Sequence, residues 1–266
     1  YGIAKAVSLI PIRVLSCSGS GSISGVIAGI NWAINDHASG TPAVANMSLG
    51  GSYSASLNSA VANATADGIV FAVAAGNNRR LACSYSPASE PTAITVGAIG
   101  GSDDRASFTN YGTCVDIFAP GVSIMSATIA SSSASRMLSG TSMASPHVAG
   151  AAALLLQSDP TATPAQIAAL IVNSATPDAI TGLAAGSPNL VLYTGAAFVS
   201  PNPVAPSVPT SLTAVGGVTQ ASLAWIAPTQ SGGAEVTDYV VEYSSNSGST
   251  WTVFADGVST STAATV

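Results

Sequence analysis

The chain of 266 residues is long enough for one large domain and a small one, and 47% of its residues are hydrophobic while 7% are charged. This apolar content excludes a disordered chain, because it is ample for a core. Six basic against twelve acidic residues give a net charge of −6, which argues against nucleic acid or an anionic membrane as a partner. No apolar run approaches the ~20 residues that span a bilayer, so we expect no membrane partner.

The start of the chain and its cysteines indicate how the protein is processed and where it is found. The chain begins with Tyr1 and shows no signal peptide, so we expect a processed or truncated product. Three cysteines are an odd number, and without C-x-x-C spacing they argue against a zinc site. A Ser/Thr/Gly-rich chain with few lysines suits a secreted, extracellular protein, where disulfides persist.

Strands and helices are predicted to alternate along most of the chain. Apolar β-branched runs predict strands, and apolar residues at helical spacing predict helices. A glycine at 68 suits the end of one helix, and Thr163 with Pro164 suits the start of another. The predicted strands are 7–15, 43–49, 69–75, 94–98 and 115–119, and the predicted helices are 23–38, 55–66, a helix from Ser142 onward, and 164–173.

This alternation predicts an α/β fold with a mainly parallel sheet and helices on both faces. Ligands bind such sheets at the carboxyl ends of the strands. The loops 18–22, 48–51 and 76–78 all follow predicted strands, so we expect them to share one rim with Ser142.

The character of the chain changes after Tyr193. A proline-rich stretch at 199–208 predicts an extended linker between a first domain, 1–198, and a second, 209–266. Alternating apolar and polar residues separated by turn clusters predict a small all-β sandwich in the second domain.

The string from Gly140 to Gly150, GTSMASPHVAG, precedes an apolar helical run. A glycine and two hydroxyl residues there indicate a helix N-terminus, where unpaired N–H groups and the helix dipole favour negative charge. Ser142 is therefore either a plain capping serine or a nucleophile whose adduct would be stabilised at that place.

The whole string resembles the nucleophile segment of the subtilisin-like serine proteases, in particular the proteinase K and aqualysin branch, and the resemblance extends over about residues 1–195. It implies a subtilisin-like three-layer fold and a secreted, monomeric endopeptidase that acts on proteins and peptides through an acyl-enzyme on Ser142. By itself Asn77 is an ordinary turn asparagine. The resemblance implies that it forms an oxyanion hole with the backbone N–H of Ser142.

The small residues of the loops 18–22 and 48–51 leave backbone N–H and C=O groups uncovered, so a peptide could pair with these loops as an added strand. The alternative is that these Gly/Ser segments are ordinary loops. The resemblance implies that substrate is held by two segments, with a rim residue at a more distant pocket. It also implies that small neutral walls form a roomy apolar pocket for aliphatic or aromatic side chains before the cut bond. The two segments are Ser20, Gly21, Ser22 and Ser48, Leu49, Gly50; the rim residue is Ile23; and the pocket walls are Ala74, Ala75 and Gly76.

A nucleophilic serine needs a histidine base oriented by an acid. His147 is five residues past Ser142 on the same helix and points about 140° away, so it is expected to be structural. His37 is expected to face solvent at a polar helix end. The family's acid strand and His-Gly-Thr-His helix have no counterpart in the chain, so the resemblance implies a fragment that is inactive by itself.

Two further features rest on the resemblance. It implies a disulfide between Cys83 and Cys114, with a partner for Cys17 upstream; a free buried thiol is the alternative for Cys17. It also implies a structural Ca²⁺ held by the carbonyls of Pro91 and Ala93 and the carboxylate of Asp116, which otherwise is a solvated strand-end acid.

The second domain resembles the first strands of a fibronectin type III module, from Pro209 through Trp225 to Tyr243, and is partial because the last strands are absent after Val266. Its expected partner is a polymer or surface ligand.

Two other hypotheses about the function of the chain stay open. One is a sedolisin-class enzyme, against which Asn77 and the Pro-His pair at 146–147 count. The other is a non-catalytic pseudo-protease or adhesion protein.

Overall fold

A computed structural model describes residues 2–195, 206–228 and 236–266. Contacts divide the chain into two compact units, Tyr1–Phe198 and Val199–Val266, while most of the predicted linker lies outside the described residues. The helices of the described part are α1 Ile23–Asp36, α2 Ala55–Ala66, α3 Thr141–Ser158 and α4 Pro164–Asn173. Its strands are β1 Ala43–Met47, β2 Gly51–Ser52, β3 Ile69–Ala74, β4 Tyr85–Ser86, β5 Ile94–Ile99, β6 Ile117–Pro120, β7 Ile124–Ala127, β8 Ser135–Leu138, β9 Thr176–Pro177, β10 Leu190–Val191, β11 Thr210–Gly216, β12 Ala221–Ile226, β13 Glu242–Tyr243, β14 Thr252–Val253 and β15 Ala263–Thr265.

A six-stranded sheet in the order β1-β3-β5-β6-β10-β9 organises the first unit. The pairs β1–β3, β3–β5, β5–β6 and β6–β10 are parallel, and only the β9–β10 pair at one edge is antiparallel. The predicted α/β fold with a mainly parallel sheet is confirmed.

Helices cover both faces of this sheet, and the alternation of side chains in β3 shows why. Ile69, Phe71 and Val73 face a core formed with α1 and α2. Val70 and Ala72 face a second core formed with α3 and α4. Because successive side chains of a strand point to opposite faces, a strand that is apolar throughout can be buried on both.

Local chemistry defines the helix ends. The side chains of Ser22, Ser54 and Thr163 cap α1, α2 and α4 by accepting backbone N–H groups of the first turn. Gly68, just past α2, has a φ of 109°, a conformation that favours glycine. The predicted bounds of α2 and α4 are confirmed, and α1 ends two residues earlier than predicted.

The predicted strand 7–15 is wrong. The segment belongs to none of the strands of the described residues, and Leu9 and Ile10 are 85% and 63% exposed. Its apolar content satisfies the pattern for a strand, but a strand also needs a hydrogen-bonding neighbour. Val14 instead packs onto the α1 side of the molecule, where any Cβ on Gly29 would collide with it.

The second unit is all β in its described parts. Strands β11, β12 and β15 form an antiparallel sheet, and β13 pairs with β14 in a hairpin. Trp225 meets Tyr239 edge to face, with ring centroids 5.3 Å apart.

Among the described helices, none combines the length and the apolar character that a membrane crossing requires.

Candidate active site

Ser142 occupies the second position of α3, directly after Gly140 and Thr141 at the helix start. The helix has 18 residues, so its N-terminal dipole end and unpaired N–H groups lie at the serine. Ser142 is half-buried, and its hydroxyl donates a hydrogen bond of 3.2 Å to the backbone oxygen of Ser48. The predicted position of Ser142 at a helix N-terminus is confirmed.

Ser48, just past the end of β1, is hydrogen-bonded to the start of α3, and Pro146 explains one of these bonds. A proline has no N–H, so the carbonyl of Ser142, four residues earlier, loses its helical partner. The hydroxyl of Ser48 donates to that carbonyl at 2.7 Å. The two serines therefore exchange hydrogen bonds, and Ser48 replaces the backbone donor that the proline removes.

Asn77 lies beside the start of α3 with its amide oriented. Its Oδ1 accepts the backbone N–H of Thr141 at 2.9 Å and the Thr141 hydroxyl at 3.0 Å. Its Nδ2 lies near Gly140, where a Cβ would come within 3.4 Å of it, and has no hydrogen-bond partner among residues 2–195. The amide thus keeps a free N–H₂ group next to the serine.

Two residues that sequence reasoning missed hold the Asn77 loop. The buried Thr141 hydroxyl also accepts the N–H of Gly76 at 3.1 Å. The buried Asn110 side chain accepts the N–H groups of Asn78 and Arg80 and donates to the oxygen of Ala75 at 2.8 Å. For Asn110 no local signal exists, because its partners lie about 30 residues away.

A second set of missed residues joins the helix to the sheet. The buried hydroxyl of Ser145 lies 2.7 Å from Asn46 Oδ1 and 3.0 Å from the oxygen of Ala72. The amide nitrogen of Asn46 donates to the hydroxyl of Ser48 at 3.0 Å. The end of β1 and the first turn of α3 therefore form one hydrogen-bonded unit around Ser142.

The predicted substrate residues are partly brought together. Ser48, Leu49 and Gly50 follow β1 beside Ser142, and Ala74, the last residue of β3, leads into Ala75 and Gly76 beside Thr141. Ser20, Gly21, Ser22 and Ile23 are exposed at the start of α1, and within the described residues no hydrogen bond links them to the other candidates.

Neither histidine reaches Ser142. The ring of His147 lies 2.8 Å from the oxygen of Met143 on its own helix, which confirms the structural interpretation. The prediction that His37 faces solvent is wrong: only 5% of its side chain is exposed, and the ring contacts Asp67 Oδ2 and the oxygen of Thr41, each at 2.8 Å. These acceptors, chiefly the Thr41 oxygen, raise the pKa of His37 above its ordinary 6.5.

The structure contains the disulfide that the resemblance implies. Cys83 and Cys114 form a disulfide with Cα atoms 5.3 Å apart. Cys17 is free and exposed, so the alternative of a buried thiol is wrong.

The candidate calcium ligands lie at the starts of two neighbouring strands. Pro91 and Ala93 precede β5, and Asp116 precedes β6. Asp116 Oδ2 accepts the N–H of Thr95 at 2.7 Å, and burial raises the pKa of this carboxyl to about 6. Two carbonyls and a poorly hydrated carboxyl oxygen fit a hard cation. Within the described residues no cluster of three His, Cys, Asp or Glu side chains exists, so this site depends on backbone oxygens.

The chain is similar to known proteins in both sequence and structure. An extracellular serine proteinase of Thermus sp. (strain Rt41A) is 58% identical over 172 residues, covering 65% of this chain and 42% of that protein. Alkaline serine exoprotease A of Vibrio alginolyticus is 55% identical over 175 residues, covering 66% of this chain and 32% of that protein. The chain thus spans less than half the length of these two relatives.

A crystal structure of a cold adapted subtilisin-like serine proteinase matches with a TM-score of 0.70 and 47% identity, covering 73% of this chain and 69% of that one. The fold is therefore subtilisin-like. The family model for Peptidase S8, the subtilase family, matches residues 1–195, the span that contains the sheet, α3 and Ser142. The chain belongs to the subtilase family of serine peptidases.

Proposed function

We propose that the protein to which this chain belongs is a secreted endopeptidase that cleaves peptide bonds with Ser142 as the nucleophile. The observation that carries the proposal is the half-buried serine at the N-terminus of α3, with the anchored amide of Asn77 beside it. The name of the Thermus relative, an extracellular serine proteinase, favours secretion of the parent protein.

In the proposed reaction the Oγ of Ser142 attacks the peptide carbonyl while its proton passes to a general base, which gives a tetrahedral intermediate; the base then returns the proton to the amine, which leaves as the acyl-enzyme forms. Negative charge develops on the former carbonyl oxygen in the tetrahedral intermediate. The Nδ2 of Asn77 and the backbone N–H of Ser142 would donate to it. Because Thr141 already fixes Asn77 Oδ1, the amide needs no reorientation when the charge appears.

Substrate would lie as an extended strand between two short segments of small residues. Ser48, Leu49 and Gly50 follow β1 past its last sheet pairing at Met47. With Ala74, Ala75 and Gly76 as the opposite wall, the side chain before the cut bond enters a neutral pocket, which favours aliphatic and aromatic residues. Ser20 to Ile23 are proposed as the second clasping segment.

The general base and its acid are proposed to come from polypeptide outside this chain, because both histidines are engaged elsewhere. The chain by itself would then bind substrate-like molecules without turning them over. A non-catalytic binding protein is the second candidate, and the same engagement of the histidines supports it.

A peptide boronic acid with phenylalanine at the reacting position tests the site without a base, since boron accepts the serine oxygen directly. We expect ¹¹B NMR to show a tetrahedral adduct with the chain. Ser142→Ala should abolish it, and Asn77→Ala should weaken it by about tenfold or more because a charge-assisted hydrogen bond is lost. Ser158→Ala, at the far end of α3, is the control. An adduct that survives Ser142→Ala would overturn the proposed nucleophile.

We also propose that Pro91, Ala93 and Asp116 bind Ca²⁺, which would neutralise a carboxylate that burial makes costly to ionise. Calcium in excess should then raise the thermal midpoint of the chain, equivalent to about 2.7 kcal/mol at 100 times the dissociation constant. Asp116→Asn should remove this response, while Asp256→Asn in the second unit should keep it. An unchanged response in Asp116→Asn would rule out this site.

The second unit is proposed to be a partial fibronectin type III module that binds a polymer or surface ligand. The Trp225–Tyr239 contact and the antiparallel strands support this assignment. A pull-down with insoluble polymers such as chitin, cellulose or keratin tests it, and residues 1–198 alone should then lose any binding that the full chain shows.

A further inference from the structure

A groove of about 350 Å³ lies just beyond the cleft between the proposed substrate segments. One of its sides is the β2–β4 ladder, in which Ser52 pairs with Tyr85. The residues that line it are Ser52, Arg80, Leu81, Ser84, Tyr85 and Tyr111. Serine, tyrosine and arginine side chains give this groove hydrogen-bond donors, unlike the neutral pocket walls.

Both proposed walls of the cleft are followed in the sequence by residues that line this groove. Ser52 follows Gly50 by two residues along one wall, and Arg80 follows Asn77 by three residues along the other. A Cβ on Gly50 would come within 3.3 Å of the Ser86 carbonyl oxygen, so Gly50 lies against β4, which forms one side of the groove. A side chain that enters between Gly50 and Gly76 would therefore lie next to the groove.

The backbone of Arg80 is held on both sides. Its N–H donates to Asn110 Oδ1 at 3.1 Å, and its carbonyl accepts the N–H of Tyr111 at 3.0 Å. The side chain thus starts from a fixed position at the groove. This is the loop that also positions Asn77, so the groove and the oxyanion donor share one support.

The guanidinium of Arg80 has no hydrogen-bond or ion-pair partner in the described part of the chain, where the one ion pair joins His37 and Asp67. An arginine presents five donors in a planar fork that matches a carboxylate. The chain has six Lys and Arg residues and a net charge of −6, so Arg80 brings positive charge to this groove in a chain that is acidic overall.

We propose that this groove receives the carboxylate of a glutamate side chain in the residue before the cleaved bond, with Arg80 as its partner. The proposal rests on the proposed function, because it takes the cleft to be a peptide site. It adds acidic residues to the aliphatic and aromatic side chains that the neutral walls accept.

The test measures binding to the full chain, which needs no turnover. Three peptides, acetyl-Ala-Ala-Pro followed by Glu-amide, Gln-amide or Phe-amide, are titrated into the ¹⁵N-labelled chain and followed by NMR. The Glu peptide should bind about two- to fivefold more tightly than the Gln peptide at low salt, as a solvent-accessible ion pair allows. High salt should reduce this preference.

Arg80→Gln should equalise the Glu and Gln peptides and leave binding of the Phe peptide unchanged. Arg79→Gln is the matched control, because it removes the neighbouring charge, which does not line the groove, and should keep the preference. If all three peptides bind but Arg80→Gln keeps the Glu preference, the role of Arg80 is overturned and the peptide cleft stands. If no peptide binds, the cleft itself is refuted, and the Arg80 proposal falls with it.

Discussion

The hydroxyl of Thr141 forms two hydrogen bonds, one as an acceptor and one as a donor. The oxygen accepts the N–H of Gly76, and the proton is donated to Asn77. The side chain is 0% exposed, so water cannot replace either bond. This one hydroxyl therefore connects the start of α3 to both Gly76 and Asn77.

We predict that Thr141→Val destabilises the chain by about 1–3 kcal/mol, because it removes, at a fully buried side chain, the acceptor of the Gly76 N–H and one of the two donors to the Asn77 amide oxygen. Urea unfolding followed by circular dichroism measures the change. Thr65→Val is the matched control. The Thr65 hydroxyl is buried without a partner among the described residues, so the same substitution there should be neutral or stabilising. Equal losses for both variants would contradict this account.

At the scale of elements, His37 ties the end of α1 to the end of α2. Asp67 is the C-cap of α2, and both acceptors of the ring, the Asp67 carboxylate and the Thr41 carbonyl, lack a proton to donate. Both ring nitrogens must therefore donate, which requires the protonated ring. The raised pKa of His37 follows from these two acceptors.

This contact predicts a pH dependence of stability. Because the pKa of His37 is higher in the folded chain than its ordinary 6.5, the stabilisation is complete below pH 6.5 and is lost as the pH rises through the folded value. Urea midpoints measured from about pH 5.5 to about pH 9 should fall across this window. His37→Gln should flatten that part of the profile, whereas His147→Gln should preserve it. A fall that persists in His37→Gln would assign it to another group.

The disulfide links Cys83, three residues after Arg80, to Cys114, two residues before Asp116. It closes a loop of 31 residues in sequence separation. Loss of this constraint should lower the free energy of unfolding by about 3–4 kcal/mol. The double variant Cys83→Ser/Cys114→Ser, compared with Cys17→Ser as a control for the exposed free thiol, measures it by urea unfolding. A double variant as stable as the unaltered chain would contradict the estimate.

For the whole molecule, the central expectation is binding without turnover. The purified chain should not hydrolyse casein, because neither of its histidines is available to take the proton of Ser142. Assay with and without a serine-protease inhibitor measures this. Inhibitor-sensitive cleavage by the purified chain would show that a base is present after all.

Periodicity and caps carried most of the fold prediction, because α2, α4 and the central strands are determined by local pattern and buried on the expected faces. The segment 7–15 failed because hydrophobicity does not reveal whether a pairing strand lies beside it. The place of Ser142 at a helix start was predictable from the string at 140–150. Thr141, Asn110 and the groove at Arg80 were not, since their partners come together only when distant loops meet.

The underside of α3 has a consequence for engineering. The helix packs on the sheet partly through small buried residues, including Ala144 and Ala152, which are both 0% exposed. Because only a methyl group fills the space at each of these two positions, a larger side chain there would push the helix outward and move Ser142 with it. Attempts to increase thermal stability by filling the interior therefore belong on the opposite side of the sheet, around Phe71 and Val73, where displacement of α1 or α2 leaves the serine in register.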